Sequence, residues 1–308
     1  MLEPSQSNRN ALSVLKKAKS NEQMNHNILP LPKTLVEQAV KNALLEDLGS
    51  VGDLTSNSTI PEDLDITAHV VSRQAGCIAG TDILTAVMAE LSPAVTTDIH
   101  APDSAVVKPG DHIASLSGPA RAILSGERVG LNFLGHLSGI ATATRTIVDL
   151  VDDLPVRITC TRKTTPGLRS FEKYAVRTGG GFNHRFGLYD GILLKDNHIA
   201  AVGGDIGTAI DRAKTAAGHM IKIEVEVDTL EQLEKALPHK PDVILLDNMS
   251  LEDLRRAVTM TNKLSILEAS GGITEVTARG IAETGIDVLS LGWLTHSSPC
   301  LDLGLDIL

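Results

Sequence analysis

Apolar positions along the chain follow two rhythms. Residues 35–45 place Leu, Val and Ala at helical spacing, and a turn-rich stretch follows at 49–58. From 66 to about 117 the apolar runs shorten and become rich in Val and Ile, at 66–71, 95–99 and 113–116. Gly and Pro punctuate them, as in the ordinary turn Lys108-Pro109-Gly110-Asp111. This predicts a small N-terminal domain containing a sheet. A long helix comes next, with Ser125 as its N-cap and an apolar stripe of Val129, Phe133, Leu137, Ile140, Ala141, Ile147 and Val148.

Beyond residue 154 the rhythm becomes regular. Short apolar strands are predicted at 156–161, 191–194, 221–227, 243–246, 264–269 and 288–291. Helices fall at 229–237, 251–260 (capped by Ser250) and 274–284. Alternation of strand and helix at this interval implies right-handed βαβ units and a parallel sheet. The expected fold class is α/β: an N-terminal α+β sandwich domain followed by a C-terminal α/β-barrel-like domain of parallel strands. The expected division is a polar, loosely ordered extension over 1–27, with helix-compatible spacing at 11–18, and the N-terminal domain over 28–124. The long helix and its connection take 125–154, the barrel 155–295 and a C-terminal segment 296–308, which can return to the first domain.

The predicted strands end in chemistry. In order they run into Thr161-Arg162-Lys163, Lys195-Asp196-Asn197, Glu224-Val225-Glu226, Asp247-Asn248, Ser270-Gly271-Gly272 and Gly292. Parallel α/β barrels build their sites from the C-terminal strand ends, so six such endings in succession predict one shared site. In 221–227, Lys222, Glu224 and Glu226 share one face. Parallel strands between helices are buried on both faces, so those acids need partners, unless this is an edge strand with a solvated face. Ser270-Gly271-Gly272 precedes a helix start, where free N–H groups form a phosphate site, and Gly292 makes a second wall. Gly179-Gly180-Gly181 alone is only a loop signal.

Composition sharpens this picture. Residues 157–195 hold eight Lys or Arg against Glu172 and Asp190, in a chain of net charge −10. A basic island in an acidic protein suits a small anionic ligand in a cleft. Arg169, Lys173 and Arg177 fit a helix surface paired with acids elsewhere; Arg162, Lys163 and Lys195 directly follow apolar strands. The net negative charge disfavours nucleic-acid binding, and so does the count of four Phe, two Tyr and one Trp. No apolar run reaches the ~20 residues of a membrane span, and the first 27 residues lack the apolar centre of a secretory signal. Cys77, Cys160 and Cys300 match neither a disulfide framework nor a zinc spacing, which points to reduced thiols in the cytoplasm.

From residue 35 onward the chain resembles the quinolinate phosphoribosyltransferase family, also called nicotinate-nucleotide pyrophosphorylase (carboxylating). The resemblance rests on EDLGSVGDLTS (46–56), SGERVGLNFLGHLSGIAT (125–142) and the long TRKTTPGLRSFEKYAVRTGGGFNHRFGLYDGILLKDNHI (161–199). EVEV (224–227), LLDNM (245–249), EASGGIT (268–274) and LSLGWLTHS (289–297) follow in the family's order. It implies transfer of phosphoribose from phosphoribosyl pyrophosphate to quinolinate, giving nicotinate mononucleotide, pyrophosphate and CO2 with Mg2+, in NAD biosynthesis. By family position, Arg162, His184 and Arg185 hold the quinolinate carboxylates, with Lys163 and Lys195 beside the reacting groups. Arg128 is the arginine contributed by the partner of a homodimer. Glu226 and Asp247 face the ribose and magnesium, in part through water, and Ser270, Gly271, Gly272, Gly292 and His296 surround the 5′-phosphate. His136, inside the long helix, is expected as a structural partner.

Trp293 departs from the family pattern, which has a small residue beside the phosphate loop. It either narrows the pocket rim or faces a packing groove. A paralogous transferase of the molybdenum-transport-associated ModD-like branch, with another acceptor, is the nearest rival reading. The full set of dicarboxylate-binding cations argues against it. A Schiff-base aldolase using Lys163 or Lys195 is a more distant one. Five of the seven rings, Phe171, Tyr174, Phe182, Phe186 and Tyr189, lie in the central motif. They are expected to brace the segment that carries the cations.

Overall fold

A computed structural model describes residues 28–308, so the expected extension over 1–27 lies outside the described residues. The chain enters through α1 (Lys33–Leu48) and then a short helix, α2 (Leu54–Thr59). The second lies almost wholly within the stretch expected to be turn-rich, 49–58. Asp53 makes it possible: its carboxylate accepts from the N–H and the hydroxyl of Ser56, at 3.0 and 2.5 Å, as an N-cap does.

The first domain contains β1 (Asp65–Ser72), β2 (Gly76–Cys77), α3 (Thr81–Leu91), β3 (Thr96–Ile99), β4 (Val106–Val107) and β5 (His112–Pro119). Strands β1, β5 and β3 pair antiparallel. Val70, Ala114 and Leu116 from this sheet pack against Ile83, Leu84 and Val87 of α3 and Ile123 of the next helix, so the core lies between sheet and helices.

That next helix, α4 (Ala120–Leu150), is 31 residues long, about 46 Å at the helical rise. It begins five residues before the expected cap. Pro119 precedes its first turn, and Ser125 lies inside the helix, where its hydroxyl donates to Asp53 at 2.9 Å. The hydroxyl that suggested a cap instead ties α4 to the cap of α2. The early part of α4 is buried in the first core, through Leu134 and Leu137. Its later residues, Ile147 and Val151 just beyond it, belong to the second core.

The second core is enclosed by parallel strands. Along the chain come β6 (Arg157–Thr159), α5 (Arg169–Thr178), β7 (Ile192–Leu194), α6 (Asp196–Ala201), α7 (Ile206–Ala216) and β8 (Ile223–Val227). Then follow α8 (Leu230–Ala236), β9 (Val243–Asp247), α9 (Leu251–Thr261), β10 (Ile266–Ser270), α10 (Glu275–Ala282), β11 (Val288–Ser290) and α11 (Trp293–His296). Sheet order is β6-β11-β10-β9-β8-β7, with every pairing parallel. Ser250 caps α9 as expected, its hydroxyl accepting from Asp253 N–H at 3.1 Å.

The barrel is open between β6 and β7. On the β6 side Phe182 makes a single parallel bridge to Thr159, its N–H donating to Ile158 at 2.7 Å. Residues 182–191 therefore cross the gap, and they carry His184 and Arg185. The last strand, β12 (Leu303–Ile307), leaves the barrel and pairs antiparallel with β1 at the edge of the first sheet.

Candidate active site

Side chains on a parallel strand alternate, so every second residue of β8, β9 and β10 faces the barrel interior. This puts Glu224 and Glu226 on one face of β8, Asp247 at the end of β9, and Glu268 and Ser270 on β10. The register holds Asp247 beside Ser270 and Glu226 beside Leu245. Strand β8 lies between β7 and β9 and Glu224 is buried, which rules out the solvated edge. Lys222 lies outside the strand and pairs with Asp242 at 2.5 Å.

At the mouth the strand ends converge in adjoining groups. Lys195 and Glu226, from β7 and β8, form an ion pair. Asp247 accepts from the Asn248 amide at 2.7 Å, and Asn248 N–H donates to Ser270 O at 2.9 Å. Gly271 and Gly272 have φ of +91° and +59°, a conformation that favours glycine. A Cβ on Gly271 would also stand 2.2 Å from Asn248 Oδ1. Across the mouth, a Cβ on Gly292 would meet Lys163 Cδ at 3.1 Å, Thr161 Oγ1 at 3.3 Å and His296 Nε2 at 3.4 Å. Glycine thus lets the end of β11 approach the basic loop after β6.

The crossing segment supplies the remaining cations. Arg185 donates to Gly191 O at 2.9 Å. Burial, and then the nearby charge of Arg162, lower the Arg185 pKa. Two guanidiniums that disfavour each other's charge call for an anion near them.

Beneath them lies a buried group. His184 Nε2 is 2.9 Å from Glu224 Oε2 and 3.7 Å from Glu268 Oε1, while His184 Nδ1 accepts the Arg185 N–H at 2.8 Å. In this geometry Nε2 carries the proton. Burial opposes a charged ring, but the Glu224 hydrogen bond and the charges of Glu268 and Glu224 outweigh it and raise the His184 pKa. A second proton would displace the Arg185 contact. Burial, then the Glu224 charge, raise the Glu268 pKa as well. Both imidazole nitrogens are engaged inside the protein, so His184 fixes the backbone of Arg185 directly. The sequence reading gave Glu224 as a buried strand-end acid needing a partner, which His184 supplies, and assigned no role to Glu268, whose alternation with Ser270 was the available signal.

Glu226 and Asp247 present hard carboxylate oxygens from adjacent strand ends, a donor set that suits Mg2+. The group formed by His184, Glu224 and Glu268, whose ligand atoms lie within 4.8 Å of one another, is deeper and includes a nitrogen donor. It fits that ion less well.

Other residues also depart from expectation. Lys173 is fully buried and lies on no helix surface: its ammonium donates to His184 O at 2.9 Å and Cys160 Sγ at 3.1 Å. Arg169 donates to Thr164 Oγ1 and Phe186 O, and Arg177 to Gly181 O, so these cations hold loop oxygens and not acids. His136 does act structurally, 3.1 Å from Glu172. Arg128 is exposed on α4 and lines a cavity of about 380 Å³ with His136, Cys300 and Asp302, away from the barrel-mouth residues of its own chain. Trp293 faces the loop, its indole N–H donating to Ile273 O at 2.9 Å. Phe182 lies 5.1 Å from both Arg157 and Arg177, Phe186 lies 5.2 Å from Lys173, and Tyr174 donates to Asp103 at 2.7 Å; Tyr189 is exposed. Phe182 and Phe186 thus brace the cationic segment, while Phe171 packs on Phe133 of α4 and Tyr174 ties α5 to the first domain.

The chain is similar to known proteins over both of its domains. The family model for the quinolinate phosphoribosyl transferase N-terminal domain matches residues 53–138, and that for the C-terminal domain matches 140–306. The chain is 48% identical over 284 residues to a probable nicotinate-nucleotide pyrophosphorylase [carboxylating] of Bacillus subtilis, covering 92% of this chain and 95% of that one. It is 42% identical over 273 residues to the corresponding Mycobacterium leprae protein, covering 87% and 95%. The crystal structure of NadC from Streptococcus pyogenes superposes with a TM-score of 0.86 at 40% identity, covering 91% of this chain and 99% of that one.

Proposed function

The chain belongs to the quinolinate phosphoribosyltransferase family, and from that premise we infer that its barrel mouth joins quinolinate to phosphoribosyl pyrophosphate. It releases pyrophosphate and CO2 and yields nicotinate mononucleotide, the carboxylating phosphoribosyl transfer of NAD biosynthesis. The observation that carries this reading is the gathering of strand-end groups at one mouth: Lys195 paired with Glu226, Asp247 beside Ser270 and its glycine loop, and Gly292 against the Lys163 loop.

Arg162 and Arg185 take the quinolinate carboxylates, since guanidinium forks match carboxylates bidentately. His184 holds Arg185 in place from below and completes that wall. Ser270, Gly271, Gly272, Gly292 and His296 take the 5′-phosphate. Bond breaking to pyrophosphate develops positive charge on the ribose, and Glu226 and Asp247 stabilise it electrostatically. The same two carboxylates would hold Mg2+, in part through water; when bound, it neutralises the leaving pyrophosphate. The pyridine nitrogen attacks the ribose carbon as pyrophosphate departs. Its new positive charge then stabilises the electron pair left on the adjacent ring carbon when CO2 leaves, and that carbon takes up a proton. Lys163 and Lys195 sit beside the reacting groups, and no protein nucleophile is needed.

Arg128 lies apart from this mouth in its own chain, which supports a homodimer in which each subunit lends its Arg128 to the other's site. Among the described residues no helix is long and apolar enough to cross a membrane, and the three cysteines are free, which supports a reducing, cytoplasmic setting. The test is incubation with quinolinate, phosphoribosyl pyrophosphate and Mg2+, reading nicotinate mononucleotide. Turnover of another base with no product from quinolinate overturns the reading. Mixing inactive Arg128→Ala and Lys163→Ala subunits tests the shared site: regained activity supports it, and inactive heterodimers refute it.

A further inference from the structure

Two consecutive residues of α5 bring ionisable side chains into the protein interior. Glu172 and Lys173 are both 0% exposed. Among the described residues no carboxylate forms an ion pair with Lys173; its partners are a carbonyl, a thiol and the face of Phe186. Burying an ammonium this way opposes folding, and an apolar side chain of similar volume is often neutral or better for stability. Stability alone does not account for this lysine.

The partners suggest another account. Glu172 reaches the loop after β6, accepting the Thr165 N–H at 3.1 Å, and its other oxygen is held by His136 of α4. Thr165 follows Arg162 and Lys163 by two to three residues. Lys173 reaches the segment crossing the barrel gap through the His184 carbonyl, one residue before Arg185. One rigid helix therefore grips both cation-bearing loops from adjacent positions. Its far end is anchored in the first domain, where Tyr174 donates to Asp103 and Ser104 donates to Thr178 O at 2.9 Å.

We propose that Glu172 and Lys173 are a positioning pair that sets the separation of the Arg162 and Arg185 loops to fit an aromatic dicarboxylate. Neither residue touches substrate. Among the described residues neither side chain hydrogen-bonds to the phosphate half built from β10 and β11, which meets the Lys163 loop through Thr295 and Gly292 instead. The proposal rests on the function inferred above. Wild-type turnover of quinolinate is measured first, because its absence would count against that function and not against the pair.

With turnover established, Lys173→Met and Glu172→Ala should each raise the KM for quinolinate at least tenfold while the KM for phosphoribosyl pyrophosphate stays within twofold. Glu172→Gln, which still accepts from Thr165, should restore near-normal quinolinate KM. Thr165→Pro removes the donated N–H on an exposed loop but also fixes φ there and restricts Thr164. Thr165→Ala, which keeps the N–H, is its control: only the proline variant should show the selective defect, even if the core variants fold poorly. Unchanged quinolinate KM in folded variants, or equal losses for both substrates, overturns the proposal.

Discussion

Lys195 and Glu226 stand ion-paired at the ends of neighbouring parallel strands, one from β7 and one from β8. The lysine side chain is 44% exposed, so the pair contributes little to stability, on the order of 0–1 kcal/mol. Its place at the mouth makes it matter for chemistry. Lys195→Met should therefore leave thermal melting nearly unchanged while lowering kcat by about 10²–10³-fold, the range for loss of one charge-stabilising group. A steady-state assay beside a melting curve separates the two effects.

Gly271→Ala should destabilise the protein by about 1–3 kcal/mol, because the residue has φ of +91° and its Cβ would strike Asn248. The KM for phosphoribosyl pyrophosphate should rise with it. Adding Asn248→Ala relieves the collision but not the backbone strain, so urea unfolding should recover only part of the loss.

Glu268 titrates above the ordinary glutamate value because it is buried and stands beside Glu224. A carboxyl whose folded pKa is raised binds more protons folded than unfolded, so stability declines as pH climbs past ~4.3 toward the folded value. His184, also raised, contributes stability that is full below ~6.5 and declines as pH passes its own folded value. Both slopes have the same sign. Glu268→Gln removes the first, so relative to wild type it should gain on the order of 2 kcal/mol between pH 5 and pH 8. Denaturant midpoints at the two pH values check this.

Trp293→Phe keeps an aromatic ring but deletes the N–H that donates to Ile273 O, along with part of the indole's volume against the second core. A neutral hydrogen bond contributes about 0.5–1.5 kcal/mol, which corresponds to a rise of about 2–10-fold in the KM for phosphoribosyl pyrophosphate if the bond holds the phosphate loop. An unchanged KM with lowered melting would assign the indole to packing alone.

The strands of the barrel were legible because short apolar runs between helical patterns have few other uses, and their polar endings gather at one face whatever the side chains are. The start of α4 was not. A serine before an apolar stripe looks like a cap, but Ser125 is committed to Asp53, 72 residues away in sequence. Lys173 was misread for a related reason. It stands between the polar run Arg169-Ser170 and the apolar Ala175-Val176, next to Glu172, so a solvated helix face looks natural, and only packing of α5 beneath the crossing segment reveals a buried ammonium. Thr295 shows the same limit: its hydroxyl donates to the Lys163 carbonyl at 2.7 Å and links two strand ends at the mouth, a contact with no local signature. Pairings within one element were readable, whereas pairings between distant elements had to be seen.

The pairing of β12 with β1 has a consequence for how the molecule is made. The edge of the first sheet is supplied by residues 303–307, so during synthesis that sheet waits for the whole barrel to emerge before its edge is covered. Until then β1 offers an open flank of unpaired backbone, and Ala68 to Ser72 are the residues exposed to mispairing with other chains. The last strand thus acts as a clasp that closes over a domain begun more than two hundred residues earlier. Slow growth of the C-terminal half would lengthen the interval in which nascent chains can aggregate.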